Sequence, residues 1–285
     1  MFRDISEEYS VISKRPGKVV RMEYDAPTER KYACVYTPYG YDSSKKYEII
    51  YLMHGGGGRQ EDYFGDDAHV TRFKKAVDHL IENGEMRPII MVFPTVYLSK
   101  HDKKSKEESY DAVFEFLGEI ETCLIPKVET EYSSYAESVD EAGLVASRDH
   151  RAFGGFSMGA VTTWYLFSQK LKYFSKFIPI SADAWIVERK GGASRPEETA
   201  QALSEVVGTQ GYSKKDFLIY AVTGSEDRAA RGLVPMMNAM KDCSDVFDFR
   251  DGGNTSFFLH EGGKHEMKYV KQYLFNILPI IYGKC

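Results

Sequence analysis

Hydrophobic positions along this chain alternate between two spacings. KVVRMEYDAP (18–27) and RKYACVYTPYGY (30–41) are β-rich and partly alternating, which predicts two N-terminal strands. YEIIYLMHGGGG (47–58) and PIIMVFPT (88–95) instead carry unbroken apolar runs, the mark of strands buried on both faces of a parallel sheet. Between them, VTRFKKAVDHLIENG has helical spacing and closes on Asn83-Gly84, a helix stop.

The alternation then repeats. VFEFLGEIETCLIPKVETEY (113–132) is helical, HRAFGGFS (150–157) is a strand entering a glycine turn, and AVTTWYLFSQK (160–170) is a helix. FSKFIPISAD and FLIYAVTGSED predict two more strands, separated by a Gly-, Ser- and Glu-rich stretch read as variable loop over 186–212. SFFLHEGGKHEMKYVKQYLFNILPIIYG predicts a strand, a glycine loop and an amphipathic helix. Strands alternating with helices predict an α/β fold, a central mostly parallel sheet flanked by helices, in one catalytic domain spanning 1–285. The polar run KHDKKSKEES (100–109) reads as a solvated loop.

Composition narrows the classes of function. With 43% hydrophobic and 28% charged residues the chain is that of an ordinary folded protein, and its net charge of −5 offers no basic face for nucleic acid. Its apolar runs are strand-sized, far below the roughly 20 residues of a membrane span. The charged start MFRDISEEYS lacks the apolar stretch of a secretion signal, which fits either a domain trimmed from a secreted precursor or a cytoplasmic protein. Cysteines at 34, 123, 243 and 285 lack metal-binding spacing and are expected to be free, and neither a metal nor an organic cofactor is expected.

Gly155-Phe156-Ser157-Met158-Gly159 fits G-x-S-x-G, a weak signal in itself because glycine and serine are common. Its setting strengthens it: a strand leads in and a helix leads out, the turn that lifts a nucleophilic serine above a sheet. The competing reading is a plain glycine-rich turn. A serine hydroxyl needs a base, and downstream of Ser157 only His260 and His265 are available. His260 closes a strand, whereas His265 sits in the loop past it, so His265 is preferred. The imidazole needs an acid to orient it, and Asp227 after the strand IYAVTG is preferred over its neighbour Glu226 and over Asp183. The developing oxyanion needs backbone N–H donors, assigned to Met158 and to Gly55 or Gly56 in the His54-Gly55-Gly56-Gly57-Gly58 loop. That loop lacks the lysine and spacing of a phosphate-binding loop.

Together these residues resemble the α/β-hydrolase superfamily and, within it, the feruloyl esterases of carbohydrate esterase family 1, close to the feruloyl esterase modules of bacterial xylanases. The resemblance runs from GKVVRMEYDAP through YLMHGGGG, GGFSMGAVTTWY, IPISADAW and AVTGSEDRA to EGGKHEMKYVKQYLFNILP. It implies Ser157 as nucleophile, Asp227 as acid and His265 as base, acting on hydroxycinnamoyl esters of arabinoxylan or its oligosaccharides in plant cell-wall degradation. Trp185 matches a family aromatic near the acyl pocket, with a half-buried structural tryptophan as the alternative, and Asp183 and His54 are further substrate-binding candidates. Glu266-Met267 departs from the aromatic residues that relatives tend to carry after this histidine, which bears on acyl or sugar preference. Alternatives are an acetyl xylan esterase or other short-acyl carboxylesterase and, from another class, a non-catalytic α/β-hydrolase-like binding module.

Overall fold

The computed structural model describes residues 2–66, 68–97 and 106–283. Strands are β1 Lys18–Asp25, β2 Arg30–Thr37, β3 Ile49–Met53, β4 Ile90–Phe93, β5 Arg151–Phe156, β6 Lys176–Ile180, β7 Leu218–Gly224 and β8 Thr255–His260. Helices are α1 Arg72–Glu82, α2 Lys106–Glu119, α3 Ile125–Glu131, α4 Glu141–Ala146, α5 Met158–Gln169, α6 Gly191–Ser194, α7 Pro196–Thr209, α8 Ala230–Met240 and α9 Met267–Tyr282. The chain forms two compact units, one of Met1–Leu144 with Val270–Cys285 and one of Val145–Tyr269.

In the first unit the strands lie in the order β1-β2-β4-β3. β1 and β2 pair antiparallel, as do β2 and β4, while β3 and β4 are parallel. All five residues of β3 and all four of β4 are buried, which is why these segments read as continuous apolar runs rather than alternating ones. α1 opens on Thr71, whose hydroxyl accepts the N–H of Lys74 at 3.2 Å, and it buries Phe73, Ala76, Val77 and Leu80 along one stripe. The stop read at Asn83-Gly84 is where the helix ends, with Gly84 at φ +73°. Helix α2 continues through one π turn, Ile120–Leu124, into α3.

The second unit is a parallel set in the order β5-β6-β7-β8. α5 is buried on every side from Gly159 to Phe167, so its hydrophobic pattern has almost no polar face. Phe167 meets Phe177, Phe217 and Trp164 edge-on, with centroids 5.2, 5.1 and 6.3 Å away. β8 has neighbours on one side only within its unit and buries just Thr255 fully.

Two loop expectations need correction. Residues 106–109 open α2 rather than continuing a loop, and 100–105 lie outside the described residues. Within 186–212, α7 has proline at its first turn, Glu197 and Glu198 beside the helix N-terminus, and Thr199, Ala200, Leu203 and Val207 buried. Its three glutamates and scattered polar residues mask a four-residue apolar period. Cys34, Cys123 and Cys243 are not in disulfides, and Cys285 lies outside the described residues. No helix among the described residues is long and apolar enough to cross a membrane.

Candidate active site

Three strand ends of the second unit supply the site. Ser157 stands between β5 and α5 at φ 54°, ψ −110°, a conformation that a non-glycine residue adopts only at a cost of about 1–3 kcal/mol. The turn is pinned on both sides: the Ser157 N–H donates to Ile180 O at 2.8 Å, and its carbonyl accepts from Ala160 and Val161 at 2.9 and 3.0 Å. With its backbone held, the side chain projects toward His265, whose Nε2 lies 3.0 Å from Ser157 Oγ. His265 Nδ1 lies 2.7 Å from Asp227 Oδ1. A carboxylate can only accept, so Nδ1 carries the proton and Nε2 presents its lone pair to the serine hydroxyl. Such a chain can take the proton of Ser157 as the oxygen attacks.

The loops bearing the acid and the imidazole are tied to each other. Past β7, Ser225 N–H donates to His260 O and Glu226 N–H to Gly263 O, at 2.8 and 3.0 Å, and Gly262 N–H returns to Ser225 Oγ at 2.9 Å. Gly224 makes that approach possible, since a Cβ there would sit 2.0 Å from Gly263 O. The Phe156 ring covers one side of the imidazole, centroids 4.6 Å apart.

Asp227 is fully buried at its side chain, whereas that of His265 remains 17% exposed. Burial pushes the Asp227 carboxyl up, but the hydrogen bond from His265, the Ala229 N–H at 2.8 Å and the Ser181 side chain outweigh it and hold it below the ordinary value. The competing acids lie elsewhere. Glu226 pairs with Lys264 at 3.6 Å on the surface, and Asp183 accepts the indole N–H of Trp185 at 3.2 Å. Burial raises the Asp183 carboxyl, against the donors around it. Trp185 is half-buried, with the Arg189 guanidinium 5.6 Å above its ring. The His260 ring lies 6.1 Å from that of Tyr269. Met158 opens α5, where first-turn N–H groups lack intrahelical partners.

In the first unit, the glycine loop is built on a buried histidine. His54 Nδ1 lies 2.7 Å from Gly55 O and Nε2 lies 2.7 Å from Thr95 Oγ1, so the first nitrogen donates and the second accepts. Burial lowers the His54 pKa and keeps it neutral. Gly55 O also receives Gly58 N–H at 2.9 Å, and Gly57, at φ +77°, gives its N–H to Tyr97 OH at 2.7 Å. Both ring nitrogens of His54 are therefore engaged, one by the loop itself and one by Thr95 past the end of β4. Thr95, Tyr97 and Phe156 were not singled out from sequence. For the first two a usable signal existed, because they follow the carboxyl end of β4, where ligands of open α/β sheets bind.

The order of elements and the serine at the β5–α5 turn define an α/β-hydrolase. A model of the Esterase family, described as "Putative esterase", matches residues 26–279, and the chain belongs to that family: it is a carboxylic ester hydrolase. It is 35% identical over 284 residues, 99% of its length, to endo-1,4-beta-xylanase Y of Acetivibrio thermocellus, and spans 24% of that longer protein. Among solved structures it resembles a serine-to-alanine mutant of the feruloyl esterase module from Clostridium thermocellum complexed with sinapinate, at 36% identity and TM-score 0.85 over 98% of this chain and 93% of that one. S-formylglutathione hydrolase from Staphylococcus aureus, 14% identical with TM-score 0.62 over 95% of this chain and 99% of that one, shares the fold alone.

Proposed function

We propose that this esterase hydrolyses feruloyl and related hydroxycinnamoyl esters on arabinoxylan or oligosaccharides derived from it. The observation that carries the chemistry is the unbroken chain Ser157 Oγ, His265, Asp227 at 3.0 and 2.7 Å. Similarity to a feruloyl esterase module complexed with sinapinate, a hydroxycinnamate, supports the acyl group. Similarity to a xylanase supports the polysaccharide. A polymer of that size is met outside the cell, which is where this reading places the reaction. Residues 1–285 would then act as one catalytic domain.

Ser157 Oγ attacks the ester carbonyl carbon while His265 Nε2 takes the hydroxyl proton, and Asp227 stabilises the imidazolium that forms. The tetrahedral oxyanion is assigned to the N–H of Met158 and that of Gly55 or Gly56. His265 then returns the proton to the arabinose oxygen as the ester bond breaks, leaving feruloyl on Ser157. Water, deprotonated by the same imidazole, releases the acid. Half-buried Trp185 is assigned to stack on the flat acyl ring, with Asp183 accepting its indole N–H. His54, neutral and buried, serves by holding the glycine loop.

Ser157→Ala should lower kcat on methyl ferulate by at least ~10⁴-fold with an unchanged circular-dichroism spectrum. Substantial residual turnover would overturn the nucleophile assignment. A serine-directed phosphonate should label Ser157, and absence of labelling would favour a binding module. Release of acetate from acetylated xylan in preference to ferulate would shift the reading to a short-acyl esterase.

A further inference from the structure

Asp227 leaves one oxygen unaccounted for. Its Oδ1 takes both the imidazole N–H and the Ala229 N–H, yet Oδ2 is buried with no hydrogen-bond partner. A buried carboxylate oxygen with no donor is costly, by about 1–3 kcal/mol. A second orphan lies beside it. The Ser181 side chain is one of the groups that favour the ionised form of Asp227, and Ser181 Oγ is likewise buried with no partner of its own. One group is a donor in need of an acceptor; the other is an acceptor in need of a donor.

The backbone at Ser181 shows that its placement is enforced rather than relaxed. It directly follows β6 and, at 1% exposure, adopts φ +61° although it is not glycine. Its N–H donates to Val222 O at 2.9 Å, which locks the turn against β7, the strand that leads to Asp227. The preceding carbonyl, that of Ile180, is the one that pins Ser157. Strain of this kind persists where surrounding structure over-determines it and gathers at functional sites. A hydroxyl proton turns about its C–O bond to suit an acceptor.

We propose that Ser181 is a positioning residue that directs its hydroxyl at Asp227 Oδ2 and so fixes the carboxylate plane that orients His265. The inference rests on the Ser157–His265–Asp227 reading. The titratable group acting on Asp227 is His265, while Glu226 and Lys264 nearby pair with each other at the surface.

Ser181→Ala and Ser181→Gly test it together, because alanine keeps the backbone cost and removes the hydroxyl, while glycine removes both. Each should lower kcat on methyl ferulate by about tenfold with little change in KM, the worth of one lost bond to a charged group. Without the donor the carboxylate is more basic and the coupled pair holds its proton more tightly, so the acid limb of the kcat/KM pH profile should move to higher pH. A purely structural role would not move that limb. Normal kcat and pH profile in both variants would overturn the proposal, and so would a normal glycine variant beside an impaired alanine one, which would assign the effect to backbone conformation. Ser157→Ala measured alongside separates the two readings: if it stays active the triad reading fails, and if it is dead while both Ser181 variants behave as wild type only this inference fails.

Discussion

At Asp227 burial and hydrogen bonding pull in opposite directions on one carboxyl, and hydrogen bonding wins. That outcome keeps the acid ionised where His265 needs a partner for its Nδ1 proton. Asp227→Asn should lower kcat by about 10³–10⁴-fold, because an amide can donate to Nδ1 and stabilise the wrong tautomer. The same shift has a stability consequence. A carboxyl whose folded pKa lies below its unfolded value of about 3.9 contributes stability above that pH and loses it as pH falls through the folded value. Urea melts from pH 6 downward should therefore show a drop below about pH 4 that is smaller in Asp227→Asn, and an equal drop in both proteins would contradict it. Choosing Asp227 over Glu226 was within reach of the sequence only as a preference, since both follow the same strand. What separates them is direction: Asp227 turns inward to the imidazole and Glu226 outward to Lys264.

At the scale of elements, the site depends on how closely two loops approach. Gly224 ends β7 against the backbone of Gly263, two residues before His265, with room for a hydrogen atom and none for a methyl group. Gly224→Ala should cost about 1–3 kcal/mol in stability by overpacking. It should also lower kcat by about 100-fold, because a shift near 1 Å moves the imidazole off the hydroxyl. Thermal melting and steady-state kinetics check the two parts separately, and a destabilised but fully active variant would show that the loop is not what places His265. Elements with a strong period were readable in advance: β3 and β4 from unbroken apolar runs, α1 from its stripe and its Asn-Gly stop. α7 was not, because its polar composition resembles that of a loop, and burial of Leu203 and Val207 is decided by what they pack against.

For the whole molecule, a net charge of −5 and a neutral ester substrate leave little for long-range electrostatics to act on. Between about 20 and 500 mM salt, kcat/KM for methyl ferulate should change less than about twofold, since the Debye length shrinks without a charged substrate to steer. A steep salt dependence would point to a charged substrate instead. The sequence by itself determined the alternation of strands and helices, the serine on its turn between β5 and α5, and the supply of a histidine and acids after later strands. These are local matters, set by period, glycine content and order along the chain. Only the tertiary structure decided that Ser157, His265 and Asp227 meet at hydrogen-bond distance, that His54 is neutral and locked, and that Ser181 is buried at a positive φ after β6. Those depend on distances between residues far apart in the chain and on burial, which acquire values only once the strands are side by side.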